Sequence, residues 1–293
     1  MPIPGLGGLS PARLIKHSMM QFFSHAMPTH ASAVSYQLIF SFFPFVIFFI
    51  ALLGVLDLSN VFDWLRQRSE TLFLQQTTRQ MNQIFDQLQQ RRTGMLSFGV
   101  VGALWAASSG MRSMMAALNV VYGVMEGRPL WKRYALSLVY TIGLGVMVAL
   151  ATILLLVSPQ AIQALSQQFG MDQAFAVVWA WWLRWPFVVL LLTATVALVY
   201  GLGPDVQQRF RFVTPGAFLA VCAWIGASLS FNFYVRNIWN VDALYGGVGT
   251  IIVLLLYVFI SSVIVLFGAE VNAVIEQEAE TGKNPGEKLS PPS

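Results

Sequence analysis

The sequence predicts an all-α polytopic membrane protein, and three observations carry that fold class. Only 10% of its residues are charged and 56% are hydrophobic, whereas about 25% of a soluble domain is charged. From Gly246 to Ala269 roughly two dozen residues pass without a charge; at about 1.5 Å of rise each, such a helix exceeds the roughly 30 Å hydrocarbon core of a bilayer. Five further apolar runs precede it. A soluble domain is excluded, and a formal net charge of +4 is too small to mark a nucleic-acid binder.

Residues 1–31 are expected to form an N-terminal interfacial amphipathic helix. Ser10-Pro11 supplies an N-cap and a proline at the first helical position. Beyond it Ile15, Met19, Phe22, Phe23 and Ala26 fall on one side, with Arg13, His17, Gln21 and Ser24 on the other. The basic side is expected to face anionic headgroups; docking of a partner is the lesser alternative. No secretory signal peptide is expected, because the first apolar run begins only near Ala33 and is too long for one.

Residues 32–276 are expected to form a six-span membrane domain, with spans at about 33–56, 94–118, 134–157, 177–202, 214–234 and 246–270. The first span opens on Ser35, Tyr36 and Gln37, then Ser41 and Pro44. Proline inside a spanning helix frees a carbonyl, so this polar side is expected to face protein or a wet cavity. Between spans one and two Met81, Ile84, Phe85 and Leu88 recur at helical spacing, predicting amphipathic helices that either cap the bundle or lie on the lipid. The second span offers Gly99 and Gly102 for close helix approach and embeds Ser108, Ser109, Arg112 and Ser113.

Trp131 to Tyr134 anchor the third span, and Trp179, Trp181, Trp182 and Trp185 form an aromatic belt at the start of the fourth. Thr214-Pro215-Gly216 opens the fifth, which carries Cys222, the one cysteine, read as a small buried apolar residue. The last span ends in Glu270 and Asn272. A carboxylate so close to hydrocarbon needs a partner. Residues 277–293 form a polar tail, expected to be disordered. Six spans put both termini on one side, and ten Lys and Arg then fall on that side against six on the other. The positive-inside rule therefore favours cytoplasmic termini, with Arg91 and Arg92 voting against.

Several of these features together resemble the YihY/BrkB family of bacterial inner-membrane proteins, also called ribonuclease BN-like. The resemblance rests on Tyr36 to Pro44 with Ser41, on Arg112 followed by Asn119, on Tyr245-Gly246, and above all on Gly268-Ala269-Glu270-Val271-Asn272. It covers about Gln21 to Glu276, with Tyr257 standing where the family often has tryptophan. It implies a six-helix protein of the cytoplasmic membrane. Its ribonuclease label is inherited, and envelope, virulence or transport roles have been suggested for members.

The residues themselves argue against catalysis. Asp57, Asp63, Glu70 and Asp86 are scattered along a connection, Glu276, Glu278 and Glu280 belong to a solvated end, and His17, His25 and His30 share no helical face. Neither a two-metal nuclease site nor a zinc site is expected, and no cofactor is implied. Glu270 and Arg112 are instead expected to pair near the cytoplasmic side. That pair either lines a polar cleft through which a lipid-like molecule passes or locks the helices together. Asn272, Asn119, Ser41, Pro44, Tyr36, Tyr245 and Gly246 are the accompanying candidates. Expected partners are membrane lipids, with self-association left open and no nucleic acid. A non-transporting membrane scaffold is the alternative function, and a ribonuclease the lesser one.

Overall fold

Seven helices and no strand occur among the described residues. The structure, a computed structural model, describes residues 10–55, 93–156, 182, 184–206, 214–237 and 246–278. The expected amphipathic helices between spans one and two, Trp179 and Trp181 of the aromatic belt, Tyr245 and most of the polar tail lie outside them.

The helices are α1 (Pro11–Ser24), α2 (Met27–Val55), α3 (Thr93–Val121), α4 (Leu130–Leu156), α5 (Arg184–Leu202), α6 (Pro215–Asn237) and α7 (Gly246–Glu278). Four of them contain stretches long and apolar enough to cross a membrane: Leu130–Thr152, Trp185–Leu202, Pro215–Val235 and Ile251–Glu278. Helices α2 and α3 run for 29 residues each across the expected first and second spans.

Local chemistry sets the boundaries. Ser10 is extended ahead of Pro11, and α1 stops at His25, whose N–H bonds to the Gln21 carbonyl. Ala26 then takes a left-handed conformation, φ 52°, and turns the chain into α2. That conformation costs an L-residue roughly 1–2 kcal/mol. Helix α3 ends at Gly123, φ 64°, where the N–H groups of Gly123 and Val124 bond back to the carbonyls of Val120 and Asn119. This paired closure needs a residue without a Cβ at its left-handed position.

Two compact units make up the chain, one of residues 37–110 and the other of residues 1–36 with 111–293. In the smaller unit α2 and α3 meet at Gly110, where a Cβ would lie 2.8 Å from the Leu38 side chain and 3.3 Å from the Ser41 hydroxyl. The larger unit gathers its core at one end of the helices. There Met27 and Val34 of α2, Leu118 and Val121 of α3, Tyr200 of α5, Ala217 of α6 and Leu266 and Ala269 of α7 are buried together.

Away from that end the helices turn apolar side chains outward: Val139, Val146, Leu190, Leu229 and Ile251 are all exposed. A helix apolar on all sides suits lipid. Cys222 is exposed as well, correcting its reading as buried; a small apolar thiol suits an outward face in lipid equally well. Polar groups within the spans are satisfied locally. Thr193, Thr195, Ser261 and Ser262 each donate to the carbonyl four residues earlier, as a medium without water requires.

Candidate functional site

The motif Gly268-Ala269-Glu270-Val271-Asn272 assigns one task to each residue in turn. Helix α7 packs on α6, and the two backbones touch at Gly268 and Gly216. A Cβ on Gly268 would sit 2.6 Å from both the Gly216 carbonyl and the Tyr200 hydroxyl, and one on Gly216 would run into the Gly268 carbonyl. Only glycine allows this approach, the usual device for close crossing of membrane helices. Ala269 is fully buried in the core beside it.

Asn272, a predicted site residue, ties α7 to the start of α6. Its Oδ1 accepts the Gly216 N–H at 2.8 Å, while its Nδ2 donates to the Thr214 hydroxyl at 2.8 Å. One of the orphan amides at the helix N-terminus is thereby capped from another helix. Val271 turns the other way, onto Leu14 of α1.

Glu270 is completely buried, and its partner is not the expected one. His25 Nδ1 lies 2.8 Å from Glu270 Oε1, and the histidine side chain is 31% exposed. The anticipated Arg112–Glu270 pair is replaced by this contact. Arg112 turns to α4, where its Nη1 donates to Ser137 Oγ at 3.4 Å and its guanidinium lies 4.5 Å over the Tyr134 ring. The reason is geometric: Arg112 stands two turns inside α3 from Asn119, and α4 supplies a hydroxyl and an aromatic face at its own depth. His25 was considered only as a metal ligand; its place just before the first span, level with the exit of the last, was the signal available.

The contact belongs to a longer seam, because α1 packs along the final turns of α7. Leu14, Ser18 and Phe22 are buried on α1. His17 lies 3.5 Å from Glu278, Gln21 Nε2 donates to Gln277 Oε1 at 3.0 Å, and His25 reaches Glu270. Of the expected apolar side Phe22 is buried and Ile15, Met19 and Phe23 are exposed, while Gln21, placed on the headgroup side, bonds to α7, and His17, its side chain 48% exposed, reaches Glu278.

Asn119, another predicted residue, organises a second cluster. Its Oδ1 accepts the Asp205 N–H at 2.7 Å and its Nδ2 donates to Glu126 at 3.1 Å. Arg128, its side chain only 8% exposed, holds Glu126 at 3.0 Å and Asp205 at 3.3 Å, and donates to the Gly203 carbonyl at 2.9 Å. Asp205 also accepts the Gly127 N–H. None of Glu126, Arg128 and Asp205 was singled out in the sequence, since charges in short loops read as solvated. Of the other candidates, Ser41 is buried and donates to the Leu38 carbonyl, Pro44 is half-buried, Tyr36 is exposed, and Gly246 opens α7.

Chemically, the His25–Glu270 pair can hold or pass a proton, and the second cluster can hold chain segments together. Among the described residues no three His, Cys, Asp or Glu side chains come together to hold a metal ion.

Comparison with known proteins follows from this geometry. The family model for the virulence factor BrkB matches residues 19–291. The ribonuclease-like protein YfkH of Bacillus subtilis is 32% identical over 90% of this chain and 95% of its own length. A UPF0761 membrane protein of Aeromonas salmonicida is 24% identical over 76% of each chain. Another, from Xanthomonas campestris, is 25% identical over 82% of this chain and 55% of its own. No solved structure matches.

Proposed function

The chain belongs to the BrkB family of membrane proteins, and from that premise we propose that it moves a lipid-like or other amphipathic molecule across the bacterial inner membrane. In this reading six helices span the bilayer, both termini are cytoplasmic, and α1 lies in the cytoplasmic interface. The Glu270 end of the bundle forms the polar mouth of the path.

The observation that carries the reading is Glu270 itself. Its carboxyl is completely buried, one oxygen meets a histidine that reaches the surface, and the other has no hydrogen-bond partner. Ionisable groups at membrane depth are expensive and serve mainly function. The six-span arrangement is supported by the ties at one end, which join the starts of α4 and α6 to the finishes of α3, α5 and α7. The orientation is supported by Arg13, Lys16, Arg128, Lys132 and Arg133 on that same end. Exposed Ile15, Met19, Met20 and Phe23 beside Arg13 and Lys16 suit an interfacial helix with an apolar outer face.

A scaffold without cargo is the second reading, favoured by the backbone contact of Gly216 with Gly268, which makes a rigid joint. The ribonuclease named for the Bacillus relative fits less well, because Glu126 and Asp205 are each neutralised by Arg128 rather than free to bind metal ions.

The test is reconstitution of the purified protein into liposomes carrying a headgroup-labelled anionic phospholipid. Wild type is expected to speed movement of the label between leaflets, and Glu270→Gln to fall to the rate of empty liposomes while remaining folded. If wild type and variant both match empty liposomes, and the variant keeps normal protein level and envelope integrity in cells, the scaffold reading replaces transport.

A further inference from the structure

We propose that the seam between α1 and α7 is a proton-binding site, in which Glu270 takes up the proton and His25 connects it to water. The proposal deepens the transport reading and rests on it in one respect: the proton is then the coupling ion.

Three buried side-chain oxygens on this seam have no hydrogen-bond partner: Ser18 Oγ and Gln21 Oε1 on α1, and Glu270 Oε2 on α7. Ser18, Gln21 and His25 follow one another at helical spacing, so they share the face of α1 that meets α7. Orphaned buried polar atoms are rare in native proteins, and the one on Glu270 belongs to an ionisable group. An ionised Glu270 Oε2 can only accept, and no donor reaches it, the Ser18 hydroxyl included.

Three other donors nearby are committed elsewhere. Gln21 Nε2 is committed to Gln277, Asn272 Nδ2 to Thr214, and the Tyr200 hydroxyl to the Val265 carbonyl. A proton on Oε2 supplies what is missing, because it turns an acceptor-only carboxylate into a group with one O–H donor. It also removes a charge from a fully buried site, where an ionised carboxylate with a single hydrogen bond is costly. His25 provides the way in. An imidazole donates at one ring nitrogen and accepts at the other, and this ring touches Glu270 at one edge while its side chain is 31% exposed.

Other titratable groups on the surrounding elements are already engaged or lie further along. His17 pairs with Glu278 at 3.5 Å, the Tyr200 hydroxyl of α5 bonds to Val265, and Lys16 is exposed on α1. Helix α2 contributes His30 in its first turns, and the first five turns of α6 carry one titratable group, the exposed thiol of Cys222.

Infrared difference spectroscopy of the protein in lipid nanodiscs, recorded from mildly alkaline to mildly acidic pH, tests the assignment. A protonated-carboxyl band that shifts in heavy water is expected to rise on acidification in wild type and to be lost in Glu270→Gln. In His25→Ala its midpoint is expected to move by about one pH unit or more, a tenfold change in proton concentration. A spectrum with no pH-dependent band assignable to Glu270 overturns the proposal, as does a band that responds to sodium at constant pH. The band present in a protein that moves no lipid sinks the transport reading alone, while lipid movement without the band sinks only the proton site.

Discussion

The two polar clusters of the larger unit sit at the same end of the helices and are built on opposite terms. Around Arg128 every charge has an answer: the guanidinium meets Glu126, Asp205 and a backbone carbonyl, and Asn119 bonds on both sides of its amide. Around Glu270 one contact serves a carboxyl with no exposure at all, and three oxygens are left over. Arg128 Nε and Arg133 Nε form no hydrogen bond either, but both lie within ion-pair distance of Glu126, whereas Glu270 has one histidine contact and a second oxygen without a hydrogen bond. The contrast assigns architecture to the first cluster and chemistry to the second.

The sharpest way to break that contrast is Arg128→Ala. Removing the cation leaves Glu126 with only the more distant Arg133, at 3.8 Å, and takes from Asp205 its close guanidinium in a partly buried site, and the loss is expected to be about 3–5 kcal/mol. A thermal melt of the detergent-solubilised protein reads it as a large drop in midpoint, with low protein level in cells. Asn119→Ala follows. It strips two hydrogen bonds from groups that water cannot easily reach, at about 1–3 kcal/mol, and the same melt should place it between Arg128→Ala and wild type.

Glu270→Gln should barely move the melt, by less than about 1 kcal/mol, because glutamine keeps the shape and one acceptor for His25 while shedding a buried charge. Lipid movement in liposomes should nonetheless disappear. A melt for Glu270→Gln as depressed as that of Arg128→Ala would erase the distinction between the clusters. Smallest of all is Ala26→Gly. It relieves a left-handed alanine, and the melt is expected to rise by no more than about 1 kcal/mol equivalent, the gain being offset by glycine's freedom in the unfolded chain.

The helices were largely legible in the sequence, because an uninterrupted apolar run of two dozen residues has few places to go. Residues such as Glu270 and Asn272 were legible too, since polar groups stand out against such a background. Their partners were not. His25 meets Glu270 across 245 residues of chain, and which helices touch depends on crossings set by single glycines at 216 and 268. Arg112 was nominated for Glu270 on charge alone, although Tyr134 and Ser137 were the nearer answer. The protein-facing side of α1 was hidden for another reason: Ile15, Met19 and Phe23 are exposed, as the apolar side of an interfacial helix would be, and it is Gln21 and His25 that turn to α7.

The pairing of α1 with α7 also sets an order of events during synthesis. Helix α1 leaves the ribosome well before α7, the helix it docks on. At about 5–20 residues per second the separation corresponds to a wait on the order of tens of seconds, during which α1 stands without its partner helix. His25 is made long before Glu270, and the seam closes only once α7 has followed.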